Sequence, residues 1–72
     1  MEEITVECYS GSRYGEKPVA LIRKGKKYDI QRIEKMWRTP NALHFTVYVE
    51  EGKLNILYDE LKDKWFMTGM GK

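Results

Sequence analysis

Hydrophobic and polar residues alternate with a period of two along much of this chain. The clearest example is the segment 43–49, where Leu43, Phe45, Val47 and Val49 alternate with more polar residues. Because successive side chains of a β-strand point to opposite faces, this alternation predicts a strand with one buried face and one exposed face.

Several shorter segments repeat this pattern on either side of that strand. Ile4, Val6 and Cys8 share one face of a predicted strand over residues 4–9. The segments 19–23, 54–58 and 65–67 are short and apolar or alternating, as strands are. Turn-forming residues separate the segments, at Ser10-Gly11-Ser12, Lys24-Gly25-Lys26, Pro40-Asn41 and Glu51-Gly52.

The segment 27–38 permits two interpretations. Tyr28 and Ile30 alternate as in a strand, whereas Ile30, Ile33 and Trp37 are spaced as on one face of a helix. A helix over 29–37 has room for only about two turns before Thr39-Pro40. We therefore favour a long strand with a bulge near Gln31-Arg32, which returns Ile33 to the buried face. The short helix stays the alternative.

Five or six short strands joined by hairpin-length turns predict a mostly β fold in a single domain, residues 1–72. We expect an antiparallel meander, either a strongly curved sheet or a small, partly open barrel. The alternation predicts a core that contains Ile4, Val6, Val19, Leu21, Ile30, Ile33, Phe45, Val47, Leu54, Ile56 and Trp65.

Residue types that carry catalysis or bind metals are scarce. The chain has one Cys and one His, which cannot form an intramolecular disulfide and fall short of the four ligands of a structural zinc site. His44 lies on the polar face of its strand with no triad spacing around it, and Cys8 alternates with core positions. We expect a protein that is not an enzyme and that holds no metal, cofactor or small-molecule substrate. An enzyme that uses His44 is the least supported hypothesis.

The start of the chain is acidic, and no apolar segment approaches the length of a secretory signal or of a membrane span. We therefore expect a cytoplasmic protein that does not enter a membrane.

Positive charge is concentrated in the first half of the chain. The net charge is only +2, but residues 13–38 contain nine basic and three acidic side chains. Basic residues interleaved with exposed rings are typical of single-stranded nucleic-acid binding. The candidate set is Arg23, Lys24, Lys26, Lys27, Arg32 and Arg38, with Tyr14 and Tyr48 as stacking rings. The alternative is that lysines at hairpins and edge strands only prevent aggregation.

Trp37 and Arg38 are candidates for a protein interface, because Trp and Arg are enriched at interaction hot spots, whereas the alternative for Trp37 is packing in the core. A small core and aromatic residues on both predicted sheet faces point the same way. The first functional hypothesis is therefore a non-enzymatic binding or interaction module that acts through a protein partner or through self-association. A nucleic-acid-binding module is the alternative.

A set of landmarks in a fixed order covers residues 5–67. It consists of Gly15-Glu16-Lys17-Pro18, Tyr28-Asp29-Ile30 with Ile33, Trp37-Arg38, Phe45, Leu57-Tyr58-Asp59 and Trp65. This set resembles a family of small, uncharacterised bacterial domains that occur alone or appended to larger proteins, some related to DNA-repair polymerases. The resemblance implies a small β-rich fold and carries no catalytic residues over to this chain. The association with repair proteins adds support to the nucleic-acid hypothesis by analogy only.

Overall fold

Seven antiparallel strands account for most of the chain that the structure describes. The structure is a computed structural model, and it describes residues 1–8 and 17–70. The strands are β1 (Glu2–Cys8), β2 (Pro18–Arg23), β3 (Lys26–Asp29), β4 (Arg32–Thr39), β5 (Ala42–Val49), β6 (Gly52–Asp59) and β7 (Lys64–Met70). The segment 29–37 is extended, so the short helix is wrong, but the single long strand is wrong too, because the segment divides into β3 and β4 with a two-residue link between them.

The strands form one sheet in the order β3-β2-β1-β7-β6-β5-β4, whose two outermost strands follow each other in the chain. Only Ile30 and Gln31 separate them. The amide of Ile30 donates to the carbonyl of Val19 on β2 (2.9 Å), and the amide of Gln31 donates to the carbonyl of Tyr48 on β5 (2.7 Å). The sheet therefore curls into a half-barrel. The predicted strongly curved antiparallel sheet is confirmed, with seven strands instead of five or six.

The β4 strand contains a bulge that the sequence pattern did not predict. Ile33 pairs with Val47 and Lys35 pairs with Thr46, so Glu34 is an additional residue on β4. The bulge predicted near Gln31-Arg32 is wrong in position, because Ile30 and Gln31 form the link between two strands and the bulge lies at Glu34. Ile33 packs against the core, as predicted.

The concave face of the half-barrel holds the core. Leu21, Phe45, Val47 and Ile56 are its most completely buried side chains. The predicted core positions are confirmed as buried for Ile4, Leu21, Phe45, Val47, Leu54, Ile56 and Trp65, and as partly buried against that core for Val6, Ile30 and Ile33. Cys8 also packs against the core, as a small hydrophobic residue does.

The prediction that Val19 is a core residue is wrong. Val19 is 38% exposed, whereas its neighbours Pro18 and Ala20 are buried. Glu7 pairs with Ala20 and Cys8 pairs with Pro18, which leaves Val19 as the additional residue of a second bulge. A bulge breaks the period-two alternation, so the side chain of Val19 leaves the core face.

The predicted turn between β2 and β3 is confirmed. Lys24 and Gly25 both have positive φ angles, 52° and 79°. A two-residue hairpin turn with positive φ at both positions matches the right-handed twist of the strands that it joins. Among the described residues we find no helix with the length and hydropathy needed to cross a membrane.

Substitution of Leu21 tests the two burial assignments on β2. We expect Leu21→Ala to lower the free energy of unfolding by about 2–5 kcal/mol, because it leaves a cavity in a fully packed site. Val19→Ala on the same strand removes an exposed side chain and should change that free energy by at most about 0.5 kcal/mol. Urea unfolding followed by circular dichroism measures both. Similar losses in the two variants would contradict the bulge at Val19.

Candidate binding surface

Four of the six cations predicted for nucleic acid lie in the β2–β3 hairpin, where most of their charge is paired, and the other two, Arg32 and Arg38, lie on β4. Three of its cations contact carboxylates from other parts of the sheet: Arg23 with Glu2 (3.0 Å), Lys26 with Glu51 (3.0 Å) and Lys27 with Glu7 (3.3 Å). Lys24 is exposed in the turn itself. The charge that is concentrated along the sequence is therefore largely balanced in space, and this hairpin does not present a continuous cationic surface.

The pair between Lys26 and Glu51 connects the β2–β3 hairpin to the turn between β5 and β6. The Lys26 ammonium also lies 5.0 Å from the centre of the Tyr28 ring. The hydrogen bond from Lys26 lowers the pKa of Glu51, and the same bond raises the pKa of Lys26. Glu51 and Tyr28 also line a small pocket of about 80 Å³ at this end of the half-barrel.

A different group of side chains gathers on the convex face of β4, β5 and β6. These residues combine cations with rings, and we call them the outer-face cluster: Arg32, Lys35, Trp37, His44, Tyr48 and Lys53. The alternation of β5 explains the placement, because Phe45, Val47 and Val49 face the core and the residues between them face outward. Strand pairing then places Trp37 opposite His44, and Tyr48 between Arg32 and Lys53.

Trp37 and His44 form one half of the outer-face cluster. Their rings are stacked, with centres 5.1 Å apart and planes 7° from parallel. His44 is held from its other side, because its Nε2 atom and the Thr39 hydroxyl lie 2.8 Å apart within hydrogen-bond distance. The Lys35 ammonium lies 5.4 Å from the Trp37 ring centre. Trp37 remains 41% exposed, so its ring is both positioned and accessible.

Tyr48 is the centre of the other half. The Arg32 guanidinium carbon lies 4.1 Å from the centre of its ring, and the Lys53 ammonium lies 5.9 Å from it. Glu34 joins this group, 3.6 Å from the Lys53 ammonium. A hydrogen bond with Tyr48, followed by the charge of Lys53, holds the pKa of Glu34 below its ordinary value. Glu34 is therefore ionised at neutral pH and partly offsets the cations around it.

Between the Trp37–His44 half and the Tyr48 half of the cluster, the surface consists of short polar side chains. Thr46 is buried there, and its hydroxyl donates to the side-chain oxygen of Asn55 (2.9 Å).

Beyond His44, an apolar row continues across the sheet, because His44 pairs with Leu57 and Leu57 pairs with Phe66. The convex face thus carries a row of rings and apolar side chains that crosses four strands.

β4 is also a free edge of the sheet. Among the described strands it pairs with β5 alone, and seven of its eight residues are exposed. Met36, 55% exposed, is opposite the core residue Phe45, so it lies on the concave side where the half-barrel is open. Trp37 lies on the convex side of the same strand.

The structure brings together some of the predicted site residues and separates others. Arg32 and Tyr48 are in contact, as the nucleic-acid hypothesis requires. Arg38 pairs with Glu60 (2.7 Å) and is opposite the core residue Leu43, so it lies on the other face of β4 from Trp37. The predicted interface pair is therefore split between two faces. Tyr14 lies outside the described residues.

Sequence reasoning missed Lys35, Lys53 and His44 as members of one surface. The hairpin at residues 50–51 pairs Tyr48 with Lys53, and the alternating pattern together with that turn could have predicted this pairing. The position of Lys35 could not be predicted in this way, because it depends on the bulge at Glu34. Among the described residues, no group of three or more His, Cys, Asp or Glu side chains is arranged to hold a metal ion.

Comparison of this chain with protein-family models, with curated proteins and with solved structures finds no match. The resemblance to the family of small bacterial domains therefore stays a prediction.

Substitution of Glu51 tests whether its ion pair with Lys26 stabilises the fold. The pKa of Glu51 in the folded chain lies below its ordinary value, so the unfolded chain takes up a proton first as the pH falls. The stabilisation by this carboxylate is therefore present at neutral pH and is lost as the pH falls through the folded pKa. We expect Glu51→Gln to lower the melting temperature slightly at pH 7 and to leave it unchanged at about pH 2.

Glu50→Gln is the matched control, because it removes the same charge from the neighbouring turn residue outside the pair. Thermal unfolding followed by circular dichroism measures both variants at both pH values. Equal decreases at pH 7 would mean that the pairing of Glu51 with Lys26 has no stabilising effect of its own.

Proposed function

We propose that this chain is a non-enzymatic protein-interaction module, and that its docking surface is the free edge of β4. The observation that supports this most directly is that β4 is exposed on both faces and carries Met36 and Trp37, two large apolar side chains, at its centre. An edge strand offers unpaired backbone donors and acceptors to which another extended chain can add.

Met36 and Trp37 give this edge side-chain contacts on both faces of an added strand. Trp is the residue type most enriched at interaction hot spots, and exposed Met adapts its shape to different partners. The stack on His44 reduces the rotational freedom that Trp37 would lose on binding. The edge therefore combines a flexible contact on the concave side with a rigid contact on the convex side.

The charges on β4 favour another protein over a second copy of this chain. Arg32, Lys35 and Arg38 outnumber Glu34, which leaves β4 with a net charge of +2. Two β4 strands side by side would bring these like charges together, and like charges on paired strands are destabilising. We propose that the occupant is an extended segment of a different protein, without net positive charge. We also propose a cytoplasmic location, where the free thiol of Cys8 stays reduced.

A photo-crosslinking amino acid placed along the surface tests this function. We expect a benzophenone side chain at position 36 to form a discrete adduct with another protein in the cells that produce this chain. Positions 61 and 19 are the matched controls, because Leu61 and Val19 are exposed apolar residues outside β4. Gel mobility and mass spectrometry measure the adducts. In the same assay, Trp37→Ala should reduce the adduct about tenfold or more, as hot-spot truncation does.

Equal adducts at positions 36, 61 and 19, or no adduct at position 36, would contradict the docking edge. An adduct between two copies of this chain would contradict the choice of a different protein and would identify the edge as a dimer interface.

A further inference from the structure

We propose that the convex face of β4, β5 and β6 binds single-stranded nucleic acid through the outer-face cluster. This goes beyond the proposed interaction function, because it shares only the Trp37 contact with the docking edge and adds Arg32, Lys35 and Tyr48, whereas it uses neither the backbone edge nor Met36. It shares Arg32 and Tyr48 with the site that the sequence predicts, but it replaces the cations of the β2–β3 hairpin with Lys35 and Lys53 and adds Trp37 as a stacking ring.

The first argument is the availability of charge. In the part of the chain that the structure describes, Arg23, Lys26, Lys27 and Arg38 each have a carboxylate within 4.0 Å, whereas Arg32 and Lys35 have none. With Lys53 they outnumber Glu34, the one carboxylate of this group, by three charges to one. Arg32 and Lys35 can therefore contact phosphate groups without releasing an ion pair, whereas Lys53 would exchange its contact with Glu34 for a phosphate.

The second argument is the position of the rings. Trp37 presents an exposed indole that is already held flat against His44, and Arg32 lies over the ring of Tyr48. Unpaired bases stack on aromatic side chains and on arginine planes, with little dependence on sequence. The cluster therefore offers two stacking positions, each next to a cation.

The spacing of these positions fits a chain of several nucleotides. Trp37 is opposite His44, and Tyr48 lies four residues further along β5. At about 3.4 Å per strand residue, the two stacking positions are about 14 Å apart. Lys35 is opposite Thr46, midway between them, so its charge lies beside the low polar surface that connects the rings. A flexible single strand can follow this path across the convex face, with bases at both ends and phosphates between.

Single-stranded nucleic acid matches the rings and cations of this surface better than a duplex or an acidic peptide does. A duplex keeps its bases stacked on one another and leaves Trp37 without a partner. An acidic peptide would satisfy Arg32 and Lys35 but provides no planar group for the indole. The combination of planar groups and negative charge is the property that the geometry selects.

Fluorescence anisotropy with a labelled oligothymidylate of about 15 nucleotides tests the proposal, at about 50 mM and about 200 mM salt. Three phosphate contacts, at a slope of about −0.7 per contact for single strands, predict that the affinity falls about 20-fold over this range. A duplex of the same length should bind more weakly than the single strand at both salt concentrations.

Two pairs of variants assign the binding to the cluster. Lys35→Glu and Lys27→Glu make the same change of charge, but only Lys35 belongs to the cluster, so we expect a loss of about tenfold or more from the first and less than about threefold from the second. Trp37→Ala should weaken binding about tenfold without changing the salt dependence, because it removes stacking and no charge. Trp37→Phe keeps a ring and should retain part of the affinity.

Several results would overturn the proposal. They are the absence of binding at the lower salt concentration, binding that does not depend on salt, and equal losses in Lys35→Glu and Lys27→Glu. Competition by a polyglutamate peptide as effective as that by unlabelled oligothymidylate would also overturn it, and would assign the cations to an acidic protein segment. None of these results affects the adduct expected at position 36, so the two proposals can fail separately.

Discussion

The shortness of the link between β3 and β4 is the constraint on which the rest of this structure depends. β3 and β4 are at opposite ends of the strand order, yet only Ile30 and Gln31 connect them. Three Cα–Cα steps from Asp29 to Arg32 span at most about 10 Å when extended, so the two ends of the sheet cannot lie far apart. The sheet must curl, and the curl gives a chain of this size a single concave face on which eleven buried residues form one core. The same curl leaves a convex face on which rings and cations remain accessible.

The two bulges then decide which side chains each face receives. Side-chain direction in a strand has a period of two, so one additional residue transfers every later side chain to the other face. If Glu34 took a regular strand position opposite Thr46 instead of forming the bulge, Trp37 would share the concave face with Ile33, and Arg38 would lie on the convex face. The bulge at Val19 has the same consequence for β2, where it removes an apolar side chain from the core. Bulges of this kind are common beside functional sites, where they redirect a side chain.

Curling also redistributes the charge. Arg23 is 21 residues from Glu2 in the sequence, and Lys26 is 25 residues from Glu51, yet both pairs are in contact. The N-terminal strand and the β5–β6 turn thus neutralise the hairpin that is the most basic part of the sequence. Arg32 and Lys35 lie beside aromatic rings, and in the described part of the chain neither has a carboxylate within 4.0 Å. The electrostatic character of this protein is a property of the folded sheet and not of any one segment.

The sequence by itself determined the strands, their buried faces and the main turns. The alternation from Leu43 to Val49 and the Lys24-Gly25 turn are local signals, because side-chain direction and backbone angles depend on a few neighbouring residues. Only the tertiary structure decided that Val19 is exposed, that Trp37 and Arg38 face opposite sides, and which cations remain accessible. The physical reason is that bulge positions depend on how a strand fits its partner, and ion pairs depend on residues that the chain brings together only when the sheet has curled.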